Sequence, residues 1–160
     1  MDSTRELMQK HQRTGSDICD HLETLRFLVV EFDCRLVLEL GVRTGNSTIA
    51  MLLGAKQIGG KVVSVDRDPC EQAKTNVKEF GLDQWWEFFQ GDALGIPAVE
   101  RPNLIFVDLD HTYLETVAVL EIYSALLASD GFMVFHDTTS KPPVAQAIDE
   151  FLNDEPLNWR

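Results

Sequence analysis

Five short apolar runs punctuate this chain: LVLEL at 36–40, KVVSV at 61–65, WEFF at 86–89, NLIFV at 103–107 and FMVF at 132–135. Each is rich in β-branched, aromatic or leucine side chains and too short to stand as a helix. The segments between them carry helix signals. Ser16 or Asp17 can cap a helix whose apolar residues, Ile18, Leu22, Leu25, Val29 and Phe32, share one face. A second helix is expected from about Ser47 to Lys56, after which Gly59-Gly60 turns the chain. Asp68-Pro69-Cys70-Glu71 reads as a helix start, with a cap, a proline in first position and an acid in the first turn; Gly81 stops that helix after Phe80. Further helices are expected over Tyr113 to Ala128 and Pro142 to Leu152, and a polar one over 3–13 that Gly15 ends. Parallel strands cannot be joined by tight turns, so helices between short buried strands are the crossovers such a sheet requires. The alternation therefore predicts an α/β fold: a mostly parallel sheet with helices on both faces.

With 160 residues, one domain is expected: N-terminal helices over 1–35 that pack on or cap the core, and the α/β unit over 36–160. A net charge of −12 with lysines and arginines scattered singly repels a phosphate backbone, so nucleic acid is not an expected partner. No apolar run reaches membrane-spanning length, and the N-terminus MDSTRELMQK has no apolar segment of a secretory signal. Cys19, Cys34 and Cys70 form no CxxC, which fits reduced thiols in a cytoplasmic protein.

Open parallel sheets bind ligands at the carboxyl ends of their strands. Those ends carry Glu39-Leu40-Gly41, Asp66, Gly91-Asp92, Asp108 and His136-Asp137. The first opens the turn LGVRTGNS. A dinucleotide fingerprint, GxGxxG, would need glycine at 43 and 46, where Arg43 and Asn46 stand. A pyrophosphate there would meet side chains and the Glu39 carboxylate, a repulsive pairing. A sulfonium donor such as S-adenosylmethionine reverses that sign. Its cationic end would face Glu39 and its carboxylate would take amides around Gly45, Asn46 and Ser47, with the Ser47 hydroxyl. Asp66 would accept from both ribose hydroxyls, as in a Rossmann-like site, and Asp92 from the adenine amino group. Gly41, Val42, Arg43, Arg67, Gly91, Ala93 and Asp108 complete the expected donor-binding set, and Trp85-Trp86 could shield an adenine.

ELGVRTGNS, followed by VDRD and QGDAL, resembles the class I S-adenosylmethionine-dependent methyltransferases, most nearly the ELGxxxGxS pattern of metal-dependent catechol-type O-methyltransferases. FVDLDHTY followed by DGFMVFHD is similar to the macrocin-type sugar O-methyltransferases and the cephalosporin-hydroxylase-like group. The resemblance spans about residues 36–152. It implies methyl transfer to a hydroxyl of a small molecule, a sugar or a phenol.

Asp108 and His136-Asp137 end the fourth and fifth expected strands. If those strands are neighbours, their ends lie about 5 Å apart. Two carboxylates that close need a cation or a proton between them. A divalent ion held by Asp108, His136 and Asp137 is the expectation, Mg²⁺ or Mn²⁺ first; the imidazole favours softer ions such as Mn²⁺, Fe²⁺ or Zn²⁺. His111 is placed to take the acceptor's proton with Asp108 beside it, a role the DxxH pattern of the macrocin-like group also implies. Asp110 reads as a helix-start acid.

The resemblance also implies a β-hairpin after the last helix, and LNWR stands where its first strand would begin. A sheet without it would have an exposed edge, so a homo-oligomer or an incomplete chain is expected. Three other readings compete: an NAD(P)-dependent oxidoreductase, against which the failed fingerprint and the absence of lysine four residues after Tyr113 both argue; a non-catalytic cofactor-binding or assembly module; and a metal-dependent hydroxylase-like relative.

Overall fold

The computed structural model describes residues 17–95 and 101–154. The helix expected at 3–13, Gly15, the Ser16 cap and the terminal residues 155–160 lie outside them. A 3₁₀ turn, Asp17–His21, leads into α1 (Leu22–Glu31), β1 (Leu36–Leu40), α2 (Asn46–Ile58), β2 (Lys61–Asp66), α3 (Glu71–Glu79), β3 (Trp86–Gln90), β4 (Leu104–Val107), α4 (Tyr113–Tyr123), β5 (Phe132–Phe135) and α5 (Pro142–Asp154). All five strands form one sheet in the order β3-β2-β1-β4-β5, and every pairing is parallel.

Period-two alternation divides the strand residues between two cores. Val37, Val62, Leu104 and Phe106 face α1 and α2, where Leu22, Leu25, Val29, Ile49 and Leu52 are buried. Leu38, Leu40, Val63, Val65, Ile105 and Val107 face the other way, against Val119 and Tyr123 of α4. α5 packs against α4. Residues of the central strand β1 are almost wholly buried, whereas β5 is half-buried at all four positions and forms an edge.

Within the described residues the expected elements are present, with shifts at their ends. Ile18, Leu22, Leu25 and Val29 form the buried stripe, but Phe32 is 57% exposed, its ring edge-on to Phe132. The helix stops at Glu31, so the last residue of the periodic pattern leaves the helical face. α3 starts at Glu71, with Cys70 in the left-handed region at its N-cap and no side-chain cap; Asp68 and Pro69 precede the helix. The Asp68 amide instead donates to Asp66 Oδ1 at 2.9 Å, holding this segment to the end of β2. α4 gives way to a 3₁₀ turn, Ser124–Leu126, rather than continuing to Ala128.

Candidate active site

The turn after β1 is built around a collision that only glycine avoids. Gly41 has φ +93°, and a Cβ there would lie 2.0 Å from the Asp108 carbonyl oxygen. The Gly41 amide donates to Val65 O at 2.9 Å and the Asp108 amide to Leu40 O at 2.8 Å, tying together the exits of β1, β2 and β4. Gly45, at φ +81°, lets α3 approach: its Cβ would meet Ala73 Cβ at 2.8 Å. Asp66 closes the turn from the other side. Its Oδ2 accepts from the amides of Val42 at 2.7 Å and Arg43 at 3.1 Å. Burial works to raise the Asp66 carboxyl, but the amides of Asp68, Val42 and Arg43 and the Cys70 thiol outweigh it and hold the group below the usual carboxylate range.

Glu39 occupies a different place from the expected one. Its side chain is fully buried and accepts from three hydroxyls: Ser47 at 2.6 Å, Thr48 at 2.7 Å and Ser64 at 2.6 Å. Ser64 in turn accepts from Trp86 Nε1 at 2.8 Å. Burial pushes the Glu39 carboxyl up to about 7 against the pull of those hydroxyls, and Asp108 adds to the rise. The carboxylate thus pins the start of α2 to β1 and β2 instead of facing a ligand, and the Ser47 hydroxyl is spent on it. Trp86 belongs to this network, and Trp85 lies under the Lys56 ammonium at 4.6 Å; the pair is committed to the scaffold. Gly45, the N-cap of α2, has no side chain with which to cap it, so an incoming carboxylate would be met by the helix's first-turn amides.

Gly41, Arg43, Asp66, Arg67, Gly91, Ala93 and Asp108 line one cleft of about 310 Å³ at the ends of β1 to β4. Val42, Gly45, Asn46 and Ser47 are buried around its turn, and Asp92 is exposed nearby, with Oδ1 accepting from the Leu94 amide at 3.0 Å. Arg67 crosses to the far wall, where its guanidinium meets Asp110 and Glu115, each at 3.0 Å. Asp110 is therefore a partner of Arg67, exposed at the cleft wall. Thr112 caps α4 by accepting from the Glu115 amide at 3.3 Å.

Asp108 also belongs to a second group. One donor atom from each of Asp108, His111, His136 and Asp137 lies within 4.8 Å of the others. His111 Nε2 is 3.1 Å from Asp108 Oδ1 and 3.4 Å from Asp137 Oδ2; His136 Nδ1 is 3.4 Å from each of the same oxygens. The Ser140 hydroxyl, bonded to Asp137, is the main cause that holds Asp137 below the usual carboxylate range; the imidazoles of His136 and His111 and the Lys141 ammonium also lower it, against burial. His111 and Asp137 both have positive φ, 60° and 58°. Such backbone is costly for residues other than glycine and collects where side-chain placement matters. Two carboxylates and two imidazoles converging this way suit a divalent ion of borderline softness. His111 thus stands in the same cluster as Asp108, His136 and Asp137. His21 was not legible as a site residue: it ends a 3₁₀ turn 115 positions before His136 in the chain, yet their rings meet edge to face at 5.8 Å.

A parallel sheet of this order, with a glycine turn over a strand-end cleft, has the architecture of a class I transferase built on the Rossmann plan. The chain belongs to the methyltransferase-domain family, whose model matches residues 38–138. Among solved structures it is similar to an O-methyltransferase of Bacillus cereus in complex with SAH, with 25% identity, a TM-score of 0.73, and 98% of this chain and 81% of that one covered. The SAH-bound methyltransferase PaMTH1 of Podospora anserina has the same fold at 18% identity and a TM-score of 0.72, with 98% and 80% covered. So does the O-methyltransferase TomG of Streptomyces achromogenes in complex with SAM, at 18% and 0.67, with 96% and 77% covered. Among the described residues no helix is long and apolar enough to cross a membrane.

Proposed function

We propose that this protein transfers the methyl group of S-adenosylmethionine to a hydroxyl of a small molecule, with a divalent ion bound by Asp108, His111, His136 and Asp137. One observation carries the reading: Asp108 lines the donor cleft and is also a member of the Asp–His cluster. Donor and acceptor sites that share a residue can bring two reactants into contact, which is most of what a displacement at a methyl carbon needs. The adenosyl ligands of the Bacillus cereus and Streptomyces achromogenes enzymes support the donor's identity.

In this reading the Asp66 carboxylate, already holding the turn through Oδ2, offers its remaining lone pairs to the ribose. The cleft residues Gly91 and Ala93 flank the base. The first amides of α2 take the donor's carboxylate, and Asp108 faces its cationic part. A bound ion would supply Lewis acidity that lowers the pKa of the acceptor hydroxyl. The His111 ring, with Nε2 between the two carboxylates, is a ligand when the ion is present; without an ion, the same pair orients it as the base for that hydroxyl.

The test is thermal stability of the full chain with S-adenosylhomocysteine, with NAD, or with neither, each with and without Mn²⁺ or Zn²⁺. A ligand at about 100 times its Kd adds about 2.7 kcal/mol. Stabilisation by S-adenosylhomocysteine and independently by the metal is expected. Stabilisation by NAD alone overturns the assignment, and donor stabilisation with no metal effect removes the ion from it.

A further inference from the structure

Arg67 joins one wall of the donor cleft to the other. Leu40 of β1 is in register with Val65 of β2 on one side and with Val107 of β4 on the other, so the exits of β2 and β4 flank that of β1. Two strand spacings, about 10 Å, separate them. The Arg67 side chain leaves the β2 exit, and its Nη1 and Nη2 each lie 3.0 Å from a carboxylate on the β4 side, those of Asp110 and Glu115. The bridge therefore crosses the exit of β1, where Gly41 turns the chain. Arg67, Gly41 and Asp110 all line the same cleft.

Both anchors are fixed independently of the bridge. On the near wall the Asp68 amide donates to Asp66 Oδ1 at 2.9 Å, and the Arg67 carbonyl accepts from Gln90 Nε2 at 3.2 Å. On the far wall Glu115 Oε2 accepts from the Asp110 amide at 2.8 Å, and Thr112 caps α4. What remains to open is the arginine side chain itself, which is 54% exposed. Ion pairs in contact with water are individually weak, so this one can open without disturbing either wall.

We propose that the Arg67 bridge is a strap over the donor: Arg67 positions the adenosyl group beneath it, and the opening of the bridge sets the rate at which donor and product exchange. This rests on the methyl-transfer reading, in which a donor held between Asp66 and Asp108 lies across Gly41. Such a donor passes under the guanidinium to reach its seat. A side chain closed over a bound reactant holds it in place and keeps water from it. The bridge is intact in the protein without ligand, and it re-forms over the bound donor. Removing it therefore changes both end states alike and lowers only the barrier between them.

The experiment follows S-adenosylhomocysteine binding to the full chain by stopped-flow, in wild type, Arg67→Met and Asp110→Asn, at low and at 1 M NaCl. Methionine keeps an apolar stem without the charge, and both positions are exposed, so the fold is spared. S-adenosylhomocysteine has no net charge at neutral pH, so attraction to this acidic protein does not enter its salt dependence. Association and dissociation should both accelerate, roughly three- to tenfold in Arg67→Met and less in Asp110→Asn, with Kd moving less than about threefold. Salt at 1 M shortens the screening length to roughly 3 Å; it should speed exchange in the wild type and leave Arg67→Met unmoved. Unchanged rates in Arg67→Met overturn the strap. So does faster dissociation alone, which makes Arg67 an ordinary contact, and so does faster association alone, which makes the bridge an obstacle that the donor breaks for good. Failure of S-adenosylhomocysteine to bind the wild type strikes the donor assignment itself, whereas the rate outcomes strike only the strap.

Discussion

Replacing Glu39 by glutamine should change how the stability of this protein depends on pH. Glu39 is fully buried, and its carboxyl is raised from 4.5 to about 7. The sign follows from proton linkage. Between those two values the folded state binds the proton and the unfolded state does not, so stability falls as pH rises. The contribution is complete below about 4.5 and is lost by the time pH passes 7. At roughly 1.4 kcal/mol for each pH unit, the rise amounts to about 3 kcal/mol, an order-of-magnitude figure for a group donated to by three hydroxyls. Glutamine keeps the shape and an acceptor oxygen but has nothing to ionise. Urea unfolding of both proteins at pH 5, 6, 7 and 8 isolates the effect, since every other titrating group is common to both and cancels in the difference. The stability of the variant relative to wild type should climb by about 3 kcal/mol from pH 5 to pH 8. Two parallel curves would refute the reasoning and show that the Ser47, Thr48 and Ser64 hydroxyls keep Glu39 ionised throughout.

Three further outcomes are expected. Gly41→Ala forces a Cβ to 2.0 Å from the Asp108 carbonyl at a φ of +93°; a loss of about 3 kcal/mol or more in chemical denaturation is expected, with donor affinity falling alongside. Asp66→Ala removes the acceptor for the Val42, Arg43 and Asp68 amides; S-adenosylhomocysteine should no longer raise the melting temperature, and retained stabilisation would make Asp66 a purely structural clasp. His111→Asn takes away one of the two imidazoles of the cluster; Zn²⁺ affinity by calorimetry should drop about 10- to 100-fold while donor binding persists, and unchanged Zn²⁺ binding would return His111 to the role of base alone.

The sequence alone determined the fold class and the strand ends at which the candidate site gathers. Parallel strands covered on both faces are apolar along most of their length, so LVLEL, NLIFV and FMVF declare themselves, and apart from the buried Glu39 and Ser64 the polar residues gather where those runs stop. That is why Gly41, Asp66, Gly91, Asp108, His136 and Asp137 were legible without coordinates. Local chemistry was a poorer guide where a distant partner competed for it. Asp68-Pro69 has the pattern of a helix cap, but the Asp66 carboxylate takes the Asp68 amide and the helix starts later. Phe32 continues a helical stripe that ends before reaching it. Only the tertiary structure decided the direction of the Glu39 charge: its three hydroxyl partners come from α2 and β2, and they turn a presumed ligand contact into a buried pin. It alone brought His21 beside His136 and set His111 between two carboxylates. Burial periodicity is written along one strand or one helix and survives in the sequence. Which side chains converge across four separate elements depends on crossover packing and sheet order, and no local pattern records that.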